Sequence, residues 1–363
     1  MIFNIRAEIL VLLMSLQIFL SQTVFNFAQE SIEIILIITF ALLLLEKGIP
    51  ARWFFLFFLF ITAQTLSLFL NDVSFNGFML NTKEYGLALL SIAYFKDNSE
   101  RSYLLYALFI ACITLFLYQK FISISFPIDL SNIHKNLSIF NQISRPLGVF
   151  LDFHTSSFFA ATFLIGLSIR HKLFLLDVLI IWIVGVKTQF LAIIGQKLVT
   201  IFLKLSYLFS LYWVQVTGLF FSIFVILVYF YPLFLELADI SDMSRGSSLE
   251  IMISLITNLN VYTSTLEILP RDLDVFNETT RFYVYDSSGN IIRNSINELM
   301  LVDLFVSNGI IIGSIIFFLL TKDFPSFRIF IILTMFHYSN ILSPLIIYMM
   351  FFFENLGVLK NGD

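Results

Sequence analysis

Three short stretches carry the residues whose types and spacing could do chemistry. The first reads Ser144-Arg145-Pro146-Leu147-Gly148-Val149-Phe150-Leu151-Asp152-Phe153-His154. Pro146 fixes its own backbone and Gly148 permits a sharp turn or a close approach to another group. An arginine held on such a turn suits an anionic ligand, because its planar fork engages phosphate oxygens in pairs. Arg145 could equally extend to lipid headgroups or cap a neighbouring helix. His154 is a candidate base or phosphate donor, and a lone interfacial histidine is also compatible with a structural role. The second stretch, Lys187-Thr188-Gln189, is a small polar turn that could add a cation or simply expose a lysine. The third runs Asn294-Ser295-Ile296-Asn297-Glu298 into an apolar helix. Glu298, at the helix start, could be a partly buried base or a first-turn carboxylate favoured by the helix dipole. Asp303, deeper in the same helix, is a candidate partner for a buried arginine or lysine. Gly309 and Gly313 form a small-xxx-small face that expects close helix packing.

The elements that must position these residues follow from composition. Of the 363 residues 59% are hydrophobic and 13% charged, Phe alone occurs 45 times, and mean hydropathy is +0.92. Soluble domains carry about 25% charged residues and cannot hide so much apolar surface. The expected fold is all-α, a single polytopic transmembrane domain over 1–363 with 10–12 spans. Apolar windows predict helices at 7–27, 31–46, 51–70, 84–95, 102–120, 154–169, 173–186, 189–203, 206–231, 298–320 and 327–353. The last window contains Asn340, Ser343 and Pro344, which makes it one kinked helix or two short ones. The first apolar run reads as an uncleaved helix, with no small-residue cleavage site before the next span.

Basic residues set the expected orientation. With the N-terminus inside, inner loops hold Arg6, Lys47, Arg52, Lys96, Arg101, Arg170, Lys172, Lys204, Lys322 and Arg328. Outside the long loops, the outer side then holds only Lys83, Lys187 and Lys360, as the positive-inside rule expects. Two long loops, 121–153 and 232–297, then face outward. The second carries Arg245, Arg271, Arg281 and Arg293 with nine carboxylates, and its run Leu249–Ile256 is apolar enough for an interfacial helix. A solvated surface with salt bridges is the plain alternative for any one of these charges.

Several classes find no residues to support them. The net charge of -4 opposes a nucleic-acid partner. The single Cys112 permits no internal disulfide. No metal-ligand spacing, paired carboxylates for a metal-bound nucleotide sugar, nucleophile elbow or glycine-rich phosphate loop occurs, so no metal and no cofactor are expected. Outward arginines, scattered carboxylates and an aromatic bundle suit a substrate with a phosphate, a hydroxylated body and a lipid tail.

The stretch Ser144–Phe150 is similar to the Arg-x-x-Gly-aromatic entry to a helix found in the O-antigen polymerase and ligase family. Val186-Lys187-Thr188-Gln189 resembles that family's polar turn between two helices. Asn297-Glu298-Leu299 with Gly309-Ile310-Ile311-Ile312-Gly313 resembles its closing helix. The ordered combination covers roughly residues 140–320. Arg293-Asn294-Ser295-Ile296-Asn297-Glu298 lacks the histidine of the ligases' His-Asn pair, which favours a Wzy-type polymerase. The resemblance implies a metal-independent glycosyltransferase of the bacterial inner membrane, active at the periplasmic face. It implies a substrate oligosaccharide on undecaprenyl pyrophosphate, with a flippase and a chain-length regulator as partners beside the bilayer. In that reading Arg145 and Arg245 stabilise the leaving pyrophosphate, with Arg281 or Arg293 in support. Glu298, or failing that His154, takes the acceptor proton. A flippase for the same lipid-linked sugars and a scaffold without chemistry are the rival classes. A flippase is expected to show two similar halves, and no internal repeat is evident.

Overall fold

The computed structural model describes residues 5–21, 26–71, 73–98, 101–121, 148–150, 153–171, 192–198, 268–270, 283–285, 291–294, 300–335 and 341–358. The described residues include the helices α1 (Ile5–Ser21), α2 (Asn26–Lys47), α3 (Ala51–Leu70), α4 (Phe75–Phe95), α5 (Tyr103–Phe121), α6 (Phe153–His171), α7 (Met300–Asp323), α8 (Arg328–Met335) and α9 (Pro344–Val358). A further helical stretch lies at 192–198. The one departure from helix among the described elements is a hairpin, β1 (Tyr283–Tyr285) antiparallel to β2 (Ile291–Asn294). It falls in the segment read above as loop. The windows 173–186 and 206–231, the turn Lys187–Gln189 and the run Leu249–Ile256 lie outside the described residues.

Among the described residues, three helices are long and apolar enough to cross a membrane: Ala28–Lys47, Ala51–Leu70 and Asp303–Asp323. Shorter apolar helices occupy Tyr103–Gln119, Thr155–Ser168 and Pro344–Asn355. Helix α3 is inside out relative to a soluble helix. Its polar Gln64 and Ser67 are buried with Trp53 and Phe60, while Phe54, Phe55, Phe58 and Phe69 are all more than 60% exposed. Such a face is costly in water and comfortable against hydrocarbon, whereas polar side chains in lipid turn toward the bundle interior.

The helices share two ends. At one, Arg6 pairs with Glu46, Lys47 donates to Asn98, and Lys96 binds Asp323 at 2.6 Å. Glu8 caps α5 there. It accepts from Ser102 Oγ at 2.7 Å, Tyr103 N at 2.6 Å and Leu104 N at 2.9 Å. These are orphan donors of a first turn, and a carboxylate also complements the helix dipole. Replacing Glu8 with Ala is expected to cost about 2 kcal/mol. Thermal unfolding in detergent checks this, with Glu8→Gln falling between the two because it keeps an acceptor.

The last window is two helices, which leave one end of the bundle and return to it. The turn before α8 and the end of α9 meet, because Ser326 N and Oγ donate to Glu354 at 2.7 and 2.9 Å. Gln196 locks the same corner, donating to Ser326 O at 2.6 Å and accepting from Phe330 N at 3.0 Å. The chain therefore enters beside Asp323, turns at Ile341–Ser343, and comes back. Pro344 opens α9 without loss, since a first-turn N–H has no intrahelical partner.

The core lies between α4, α6 and α9. Phe163 stacks on Phe109 at 4.1 Å and meets Phe353 edge-on at 5.2 Å. Gly166 makes that approach possible, since a Cβ there would sit 2.1 Å from Phe353.

Candidate functional site

Helix α4 begins at Phe75, nine residues before the predicted start. Ser74 caps it by accepting from Gly77 N at 3.0 Å. Asn81 and Lys83, read from sequence as a polar break before the span, are helical and partly buried, and Glu84, the first residue of the predicted helix 84–95, continues α4 at an exposed position. Lys83 thus belongs to no outer loop: its Nζ lies 2.6 Å from Glu33 Oε2 on α2. Glu33 is 5% exposed, and its Oε1 accepts from Gln17 at 3.1 Å and Gln29 at 2.9 Å. An ionised carboxylate buried at this depth persists only with a cation and hydrogen bonds around it.

These groups wall a recess of about 260 Å³ between α1, α2 and α4. Thr155 of α6 and Leu342, Ser343 and Pro344 of the turn into α9 close its remaining side. Glu84 is exposed where it lines this recess. It stands in the field of Lys83, Glu33 and Asp303. Among the described residues, no arginine or lysine forms an ion pair with Asp303. Asp303 accepts from Ser307 Oγ at 2.6 Å and lies beside Tyr85.

Behind this cluster α7 breaks. Gly309 has φ 71° and ψ 166°, a conformation that leaves the carbonyls of the preceding turn without their helical donors. Gln64 and Asn81 supply replacements, donating to Ser307 O at 2.9 and 3.3 Å. A segment far away in sequence packs into the break. Ile268 O lies 2.3 Å from where a Gly309 Cβ would stand, and Pro270 O accepts from Asn71 at 2.9 Å. The expected small-xxx-small face is thus replaced by a broken helix: Gly309 meets backbone of 268–270, and Gly313 meets Leu304 and Phe305 of its own helix.

The stretch leading into α6 is anchored at the same end of the bundle. Gly148, at φ 67°, donates to Gln119 Oε1 at 3.2 Å, and Phe150 N donates to Ser156 Oγ at 3.1 Å. A Cβ at Gly148 would lie 2.5 Å from Ser156, so the glycine provides both turn and close approach. Of the predicted site residues, His154 is the second residue of α6 and Arg293 stands on β2 opposite Val284. Arg145, Arg245, Arg281 and Glu298 lie outside the described residues. The polar groups the structure does bring together, Glu33, Lys83, Glu84, Gln17, Gln29 and Gln64, read in the sequence as helix boundaries or were passed over. Their signal was there: Gln29 and Glu33 are one helical turn apart inside an apolar helix, where a charge marks a functional or paired position.

Among the described residues, no group of three or more His, Cys, Asp or Glu is placed to hold a metal ion. The arrangement supplies hydrogen-bond acceptors, one fixed ammonium and an accessible carboxylate. Comparison with protein-family models, with curated proteins and with solved structures finds no match to this chain.

Proposed function

We propose that the chain is an inner-membrane polysaccharide polymerase, transferring a growing glycan from undecaprenyl pyrophosphate to an incoming lipid-linked repeat unit. The observation that supports it is the anchoring of the Gly148 turn and the Ile268–Pro270 segment at one end of the bundle. The Gly148 turn carries the backbone that follows Arg145, and the Ile268–Pro270 segment lies between Arg245 and Arg281 in sequence. In the reaction the bond from the anomeric carbon to the pyrophosphate oxygen breaks and a bond to an acceptor hydroxyl forms. Undecaprenyl pyrophosphate leaves with the electron pair, and the acceptor proton passes to a base. Arg145 and Arg245 would stabilise the developing diphosphate charge, with Arg281 or Arg293 in support. Glu298 is the first candidate base and His154 the second.

Arg145→Ala and Arg245→Ala, placed in a polymerase-deficient host, should each abolish the long-chain ladder on a lipopolysaccharide gel. An unchanged ladder at normal protein level overturns those assignments.

A transporter is the second reading, and one observation favours it. Charged side chains line the bundle interior at Lys83–Glu33 beside the broken α7, as in transporters that build sites from interrupted helices. Purified protein given a lipid-linked repeat without an energy source separates the two. Lengthened glycan supports the polymerase, and translocated but unextended glycan supports the transporter.

A further inference from the structure

The recess between α1, α2 and α4 has a use that glycan transfer through the arginine-bearing segments does not give it. Its walls present two carboxylates, Glu33 and Glu84, against one ammonium, Lys83. Lys83 is committed to Glu33 at 2.6 Å, so among the described residues Glu84 has no direct ion pair. Asp303 behind it adds further negative charge. Two more acceptors lining the space are unmet. Gln17 must present its amide N–H₂ to Glu33, which leaves Oε1 buried with no donor, and Ser343 Oγ is likewise buried without a partner. Buried acceptors left unpaired cost free energy, and a ligand that donates to them recovers it. A compact cation with several N–H groups would answer these acceptors. At about 260 Å³ the recess is smaller than the usual drug-sized pocket of about 300–1,000 Å³.

We propose that this recess is a binding site for a primary ammonium group, held by Glu84 with Gln17 and Ser343. Apolar Ile18, Leu80 and Leu87 in the same wall suit the carbon body that carries the amine. An anion is repelled, because the uncompensated charge is negative. An N-acylated amine loses both the charge and two of its donors. A bulky quaternary ammonium has no N–H to give. The ammonium could belong to an amino sugar or to an ethanolamine headgroup.

The test uses full-length protein in phosphatidylcholine nanodiscs, with ethanolamine, glucosamine, N-acetylglucosamine and glucuronate as probes in saturation-transfer NMR. Ethanolamine and glucosamine should bind and displace one another. N-acetylglucosamine and glucuronate should bind at least about tenfold more weakly, the loss expected for a charge-assisted hydrogen bond. Glu84→Gln should weaken ethanolamine by about tenfold or more. Leu80→Trp, at an exposed wall position, should block the recess without disturbing the core. Glu46→Gln, at the other end of the bundle, should change nothing. Equal binding of all probes, unchanged binding in Glu84→Gln, or an equal loss in Glu46→Gln would each overturn the site. Replacing part of the phosphatidylcholine with phosphatidylethanolamine assigns the source: competition with free ethanolamine points to the headgroup, and none to a soluble or glycan-borne amine.

Discussion

Gly309→Ala should remove most of the folded protein, at a cost of about 3 kcal/mol or more. Two effects add. A backbone at φ 71° and ψ 166° is essentially reserved for glycine. The new Cβ would also meet Ile268 O at 2.3 Å and Leu269 C at 2.8 Å, and these are main-chain atoms that cannot swing aside. Gly48→Ala is the internal control. Its φ is 78°, but nothing lies within 4 Å of the added Cβ, so only the conformational term of about 1 kcal/mol applies. Thermal or SDS-induced unfolding of the two variants should therefore differ by at least about 2 kcal/mol. Equal midpoints would show that Ile268–Pro270 does not press on the break. Alanine also favours a straight helix, in which Ser307 O would bond within α7 and release Gln64 and Asn81. If Gly309→Ala survives at all, limited proteolysis should cut faster near residue 268.

Lys83→Met is the second large effect, about 3–5 kcal/mol, because it strands a buried carboxylate. Glu33 keeps its bonds from Gln17 and Gln29 but has no other cation beside it among the described residues. The reverse change should be milder. In Glu33→Gln the lysine still has Glu84 in its field, and the recess becomes closer to neutral. The double variant Lys83→Met with Glu33→Gln should recover much of the loss, since removing both charges removes the desolvation cost as well. A double-mutant cycle read by unfolding in detergent should give a coupling of about 2 kcal/mol or more. Additive single effects would mean that the pair does not form in the folded bundle.

Both variants bear on residues that the sequence offered in another guise. Lys83 and Glu84 look like the polar edge of a span, because charges usually mark where a helix leaves the bilayer. They continue α4 instead, since Lys83 finds the Glu33 carboxylate inside the bundle and Glu84 lines the recess beside it. Asp303 stands out in the sequence as a charge in an apolar helix, and among the described residues it is met by hydroxyls, Ser307 one turn along its own helix and Tyr85 of α4. Gly309 and Gly313 carry the right composition for a packing face and serve a break.

The sequence by itself determined the helical class, the positions of most of the described apolar helices, and the glycine turn at Gly148. It did so because composition, hydrophobic windows and a glycine between Pro146 and the start of α6 are local properties, legible along the chain. The tertiary structure alone decided which buried charges meet, that α7 is interrupted, and that α8 and α9 return to the end they enter from. Each of those depends on contacts between distant residues: Glu33 with Lys83, Ile268 with Gly309, Ser326 with Glu354. Periodicity along one helix tells which face is polar, but not which neighbour will answer it.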